Sequence, residues 1–495
     1  MQLVRLHNRR SSRPPLRRAR GATLLLFALL IVIAGAWMGL RVLSGSPRTG
    51  DAASQALADA RDAIIGASMQ GTGAAVVFGT VSSPGRLPAP DISQWEGDYD
   101  GTVDPACLTS TGGTSPLGGS TNNAANLRCL GRLPWQDLGL GRYAGEPVND
   151  PRGVIPWYAV SANLVTRCRA LNPGVLASIY SAFGGTNCGS VAQPYPWLTV
   201  RDEKGNVVTS RAAAIFIVPG PALPGQTRPT APLQTAAAYL DTVTVAASCV
   251  APCVPGTYNN AALNLPNATG LSFIRCAIGK VESNNPNFAQ PYNCNDRIEF
   301  ITIDQLMEIA ERRVAEYAAG KLRAYFAANA FFPFAAPHDP AAASGRGECQ
   351  SGLMRGLIPA LAETNPGDAQ RCTHAAFDTL LDSWFKDNVA VNDNAWGDWI
   401  YYAVSPGCTQ PGPACGAGVL AVGTQTGLRA LVIGSGAPIA AAPFAPSRGA
   451  AQVRPSANLA DYLDSVVNAD GNNAFEASSL PTRSDYNDKV LAVSP

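Results

Sequence analysis

Residues 148–161 read VNDPRGVIPWYAVS, and residues 391–405 read VNDNAWGDWIYYAVS. Both begin Val-Asn-Asp, carry a glycine soon after (Gly153, Gly397), and close on an aromatic pair and Tyr-Ala-Val-Ser, with one residue of offset. Working outward, RAAAIFIVPGPAL (211–223) resembles LRALVIGSGAPI (428–439), each a short apolar, β-branched run ending in a Gly/Pro turn. AAAYLDTV (236–243) matches LADYLDSV (459–466), each reading as an amphipathic turn or short helix, and NDRIEFIT (295–302) matches NDKVLAVS (487–494), a strand-like alternation. Four matched blocks in one order point to a tandem duplication.

Each copy opens on a helix. DAASQALADARDAIIGASMQ (51–70) places apolar residues at 53, 56, 57, 60, 64 and 67, a helical period. ITIDQLMEIAERRVAEYAAGKLRAYFAANAFF (301–332) is a longer helix of the same kind, with Asp304 as its expected N-cap. Pro-containing loops follow both, GRLPAPD (85–91) and FFPFAAPHD (331–339). Helices and strands are segregated, so the expected class is α+β.

All twelve cysteines lie beyond residue 100, an even number that reads as disulfides in an oxidising compartment. If each copy closes its own set, the expected bridges are Cys107–Cys129, Cys168–Cys188, Cys349–Cys372 and Cys408–Cys415. The first copy's extra cysteines pair as Cys249–Cys253 and Cys276–Cys294. No ligand-spaced His/Cys set for a metal is expected, and no cofactor.

The N-terminus carries a second signal. Ala22 to Leu40, ATLLLFALLIVIAGAWMGL, holds Thr23 as its only polar side chain. At ~1.5 Å per residue it spans roughly 30 Å, the thickness of a bilayer's hydrocarbon core. Seven arginines (Arg5, Arg9, Arg10, Arg13, Arg17, Arg18, Arg20) precede it, whereas only Arg41 and Arg48 follow closely. This places the N-terminus in the cytoplasm and the body outside. The alternative is a cleaved secretory signal, against which stand the length of the run and the lack of a small-x-small site after Leu43. Beyond residue 50 the chain has 28 basic against 36 acidic side chains, no electrostatic reason to seek nucleic acid.

This N-terminal design resembles type IV pilins and type II secretion pseudopilins: a basic leader ending in Gly21, then Ala22-Thr23, an unbroken apolar helix and an Ala-rich helical continuation. The resemblance implies cleavage by a prepilin peptidase between Gly21 and Ala22, methylation of the new N-terminus, and a stem helix from Ala22 to about Met69 with a kink or break at Pro47. It also implies partnership with the inner membrane and with other pilin-like subunits through that helix. The family usually places Glu five residues into the mature chain, where this sequence has Leu26. That departure points to a minor, tip-located or accessory member, or to an ordinary signal-anchored periplasmic protein.

The expected plan is thus a basic leader (1–21), a transmembrane helix (22–43), a stem helix with a first α+β unit (44–300), and a repeated α+β unit (301–495). No catalytic set emerges. His338 and His374 are the only histidines beyond the leader, and no nucleophile elbow, phosphate loop or His-Glu-x-x-His helix is present. Glu96, Asp98 and Asp100 pair carboxylates in a Gly-rich loop with no sign of a cleft, and the oxygen ligands of Asp98, Asp100 and Asp104, or of Asn468, Asp470 and Asn472, read as turn formers ahead of calcium ligands. Trp135, Trp157, Trp396 and Trp399 offer ligand-binding aromatics, but Trp157 and Trp399, read as matched positions, are more simply core.

Overall fold

The computed structural model describes residues 49–69, 84–92, 100–103, 129–141, 155–161, 164, 173, 197–223, 226–228, 236–249, 251–261, 272–276, 294–339, 347–360, 375–382, 384–386, 396–409, 415–439, 452, 457–478 and 486–494. The leader, the apolar segment 22–43 and the Gly21–Ala22 bond lie outside these. Among the described residues no helix is long and apolar enough to cross a membrane. The chain divides into two compact units, Met1–Gln55 and Ala56–Pro495, and both main sheets lie in the second.

The architecture is α+β. Helix α1 spans Thr49–Met69 and buries Ala56, Leu57, Ala60 and Ile64, the face its period dictates. Then come β1 (Leu130–Arg132), β2 (Trp157–Val160), β3 (Leu198–Arg201) and the long β4 (Val207–Val218). One helical turn, α2 (Ala236–Tyr239), leads to the hairpin β5 (Thr242–Val245) and β6 (Gly256–Asn259), then β7 (Ser272–Ile274) and β8 (Arg297–Thr302). Helix α3 (Ile303–Asn329) follows without a loop. The remainder holds β9 (Arg355–Leu357), β10 (Ile400–Val404), β11 (Leu420–Val422), β12 (Gln425–Leu428), β13 (Ala430–Gly434), the turn α4 (Val466–Ala469), β14 (Ala474–Phe475) and β15 (Lys489–Ser494).

The two halves have the same strand plan. β1-β2-β4-β8 pair antiparallel in that order, as do β9-β10-β13-β15. β3 joins β4 antiparallel and β7 parallel; β11 joins β12 antiparallel and β14 parallel. β12 and β13 together follow the path that β4 takes unbroken. The Tyr-Ala-Val-Ser blocks form the second strand of each sheet. Their tyrosines are fully buried and donate to the proline loops: Tyr158 Oη to Pro88 O and Tyr402 Oη to Pro333 O, each at 3.0 Å. The serines after them take equivalent backbone bonds, Ser161 N to Ala213 O and Ser405 N to Arg429 O. Each sheet packs its own apolar cluster, around Trp157, Ile215 and Phe273 in the first and Tyr401, Leu431 and Phe475 in the second.

Two local expectations need correction. The register opposes Trp157 to Ile217 and Tyr401 to Ile433, so Tyr401, not Trp399, is the counterpart of Trp157. Trp399 sits in the 3-10 turn before β10. The N-cap of α3 is Thr302, not Asp304. β8 runs straight into the helix, so its last residue does the capping. Thr302 Oγ1 accepts from Gln305 N, and Gln305 Oε1 accepts from Thr302 N. Asp304, within the first turn, pairs with Arg211 at the surface.

Close backbone approach explains a glycine in each first strand. A Cβ at Gly131 would lie 2.2 Å from Asp91 O, and one at Gly356 would lie 2.0 Å from Ala336 O. These contacts accompany the isolated bridges Asp91–Arg132 and Ala336–Leu357, which bind the proline loops to the sheets. Gly131→Ala and Gly356→Ala are each expected to cost about 1–3 kcal/mol in equilibrium urea denaturation, the usual penalty for forcing a methyl into filled space.

Candidate functional site

A buried polar cluster lies at the end of the first sheet. Asp241, ending the Tyr-Leu-Asp block, is 1% exposed, and Asp296, heading β8, is fully buried. Asp241 Oδ1 accepts from Gln226 Nε2 (3.0 Å), and its Oδ2 accepts from the backbone N–H of Asn295 (2.6 Å) and Asp296 (3.0 Å). Asp296 Oδ2 in turn accepts from Asp241 N (2.7 Å) and Asn260 Nδ2 (2.9 Å). Gln226 Oε1 takes Leu223 N, Asn295 Nδ2 donates to Pro221 O, and Asn260 Oδ1 accepts from Ile274 N. Four chain segments, at Gln226, Asp241, Asn260 and Asn295-Asp296, meet on two carboxylates.

The second half repeats the arrangement. Asp464 Oδ1 accepts from Gln452 Nε2 (3.0 Å) and Oδ2 from Asn487 N (2.6 Å). Asp488 Oδ2 accepts from Asp464 N (3.0 Å) and Asn468 Nδ2 (2.9 Å). Gln452 Oε1 takes Ile439 N, Asn487 Nδ2 donates to Ala437 O, and Asn468 Oδ1 accepts from Glu476 N. In the first half 18 residues carrying the β5–β6 hairpin separate Asp241 from Asn260. In the second, the single turn α4 brings Asn468 to the same place.

Burial decides the charge state of the first pair. Desolvation, then the neighbouring Asp241 charge, pushes the Asp296 carboxyl well above the usual carboxylate range. Asp241 is raised too, again chiefly by desolvation, but its three donors and nearby Arg228 oppose the rise. The rise is thus the greater at Asp296, whose Oδ1 accepts nothing among the described residues.

The cluster acts as a lock on the chain's own segments. Three of the four carboxylate oxygens in the first half, both of Asp241 and Oδ2 of Asp296, are occupied by the chain's own donors. Asp241 also lies within 4.8 Å of Cys276 and Cys294, but those sulfurs are bonded to each other and offer no thiolate to a metal. Arg132 stacks 4.2 Å above the Trp157 ring and 5.3 Å from Tyr239, a cation–π layer roofing the core beside the lock.

The other candidate residues scatter. Cys249–Cys253, Cys276–Cys294 and Cys408–Cys415 are bonded. Cys349 is bonded to a partner outside the described residues, and Cys129 is buried at the head of β1. Cys107, Cys168, Cys188, Cys372, His374, Glu96, Asp98 and Asp104 fall outside the described residues. His338 packs edge-on against Tyr462 with ring centroids 4.5 Å apart. Asp100 accepts from Thr102 N and Oγ1, a turn bond. Asn468 turns into the lock while Asp470 caps its own turn by accepting from Asn472 N, so the Asn468–Asn472 set does not converge on a cation. Trp157, Trp396 and Trp399 are buried.

Sequence reading found the matched Tyr-Leu-Asp and Asn-Asp blocks but not their meeting. It missed Gln226 and Gln452 altogether. Their signal was present: Gln226-Thr227-Arg228-Pro229 recurs as Gln452-Val453-Arg454-Pro455.

No match stands beside this geometry. No family model, curated protein or solved structure matches the chain.

A raised carboxyl pKa has a definite sign in stability. The folded chain keeps a proton on Asp296 that the unfolded chain releases near pH 4. Its contribution is complete at acid pH below that value and is lost as pH rises toward the raised folded value. Thermal unfolding of the chain should show this loss, and Asp296→Asn, which keeps the acceptor oxygen but has no proton to release, should flatten that part of the pH profile.

Proposed function

We propose that the chain is a non-enzymatic, pilin-like or pseudopilin-like accessory subunit of a type IV pilus or type II secretion-type filament. The observation that carries the reading is the junction Arg20-Gly21-Ala22-Thr23, a leader without acidic residues running into an unbroken apolar segment. In this reading a prepilin peptidase cuts after Gly21 and residues 22–43 cross the inner membrane. The same helix packs against other pilin-like subunits through van der Waals contact. Helix α1 continues the stem, and the body stands in the periplasm or beyond. Supporting it are the disulfides, which suit an oxidising compartment, and a body whose polar clusters are turned to holding its own segments together. The common strand plan and the duplicated locks support descent of the two halves from one duplicated unit.

Leu26 favours a second reading. Without the acidic residue usual at that point, the chain is instead an ordinary signal-anchored periplasmic scaffold or binding protein. Mass spectrometry of the protein purified from membranes separates the two. The pilin-like reading predicts a mature chain beginning at a methylated Ala22, and an intact Met1 would overturn it in favour of the plain anchor.

A further inference from the structure

The two halves close the same junction by different chemistry. Asn260 Oδ1 accepts from Ile274 N and Asn468 Oδ1 accepts from Glu476 N, so Cys276, two residues on, corresponds to Ser478. Asp296 and Asp488 receive the equivalent amide donors, so Cys294 corresponds to Tyr486. In the first half Cys276 and Cys294 are bonded, 5% and 2% exposed, and pack with Val243, Val245 and Ile274. In the second half the Tyr486 hydroxyl spans the gap. It donates to Glu476 O (2.9 Å) and accepts from Asn468 Nδ2 (3.3 Å), while Ser478 Oγ accepts from Val490 N (2.6 Å). One brace needs an oxidant to form; the other does not.

We infer that the first half is redox-gated: its carboxylate lock closes only once the Cys276–Cys294 bond has formed, whereas the lock of the second half closes in any redox state. The reason is reach. A thiol is short and a weak donor, so a reduced Cys294 cannot replace the bridge that the Tyr486 hydroxyl makes. Cys294 lies two residues before Asp296, and Asn295 and Asp296 supply the two backbone donors to Asp241. Releasing Cys294 therefore frees the strand end that the lock must grip. Protection also runs the other way. Both sulfurs lie within 4.8 Å of an Asp241 carboxylate oxygen, and a thiolate leaving beside that charge is disfavoured. Reduction by a dithiol proceeds by attack on one sulfur, departure of the other as thiolate, and ring closure of the reductant. The reductant ends as a cyclic disulfide and the protein as two thiols. In a reducing compartment the chain holds its second half shut and its first half loose, and oxidation shuts the first.

The test is hydrogen exchange on the purified full-length chain, with and without dithiothreitol, reduction of Cys276 and Cys294 being verified by alkylation. Peptides carrying the amides of Asp241, Asn295 and Asp296 should exchange at least about tenfold faster after reduction, and those carrying Asp464 and Asn487 should change less than about twofold. Because the reductant opens the other disulfides as well, Cys276→Ser/Cys294→Ser is measured without it and should reproduce the same one-sided loosening. Retained protection in the first half, in either experiment, overturns the gate. Equal loss in both halves overturns it too, since the second half is then not independent.

Discussion

One buried carboxylate holds each half of this body together. Asp241 and Asp464 each accept a glutamine amide on one oxygen and the backbone N–H of the following strand's head on the other. The alternative for those backbone groups is burial without a partner, which costs about 1–3 kcal/mol for each group. The Gly/Pro turn after the long strand, the Tyr-Leu-Asp turn and the final strand are thus fixed by the same few atoms. β8 gains a fixed starting point, and α3, which follows it without a loop, inherits its direction. α3 then lies along β13 and β15 with an unbroken buried stripe from Ile303 to Tyr325. The lock of the first half thus anchors the strand that leads into α3.

Where the halves differ, the lock is kept and its surroundings change. The β5–β6 hairpin, closed near its tip by Cys249–Cys253, occupies an interval that the other half crosses in one turn. Yet Asn260 and Asn468 arrive at equivalent carboxylate oxygens, Asp296 Oδ2 and Asp488 Oδ2, each 2.9 Å away. Such tolerance is expected where an insertion enters and leaves at nearly one point, since closing a longer loop costs little extra entropy. A body built this way can vary what it displays while its framework stays fixed, which suits the accessory role proposed for it.

The α+β class and the matched strand segments were legible because apolar periodicity and internal similarity are local signals. Tyr158 and Tyr402 could be matched by eye because four consecutive residues recur around them. The lock was not legible in the same way. Asp241 and Asp296 lie 55 residues apart and Asp464 and Asp488 lie 24 apart, and a charged residue in a turn reads as solvated until its donors are known. Gln226 and Gln452 were harder still, because they precede their aspartates by unequal intervals, 15 and 12 residues. The Asp304 cap failed for a different reason. Propensity favours aspartate at a helix start, but it takes no account of a strand that continues to Thr302 and supplies its own hydroxyl. Similarly, an aromatic pair hides its register: only the pairing with β4 and β13 shows which ring faces which.

The most direct test of this account is a pair of equivalent truncations, Asp241→Ala and Asp464→Ala, compared by equilibrium urea denaturation at neutral pH. Each removes a buried acceptor and strands the glutamine and backbone donors around it. Both are predicted to lower stability by at least about 3 kcal/mol. A loss under about 1 kcal/mol at either site would mean that the carboxylates merely fill a position the fold already holds.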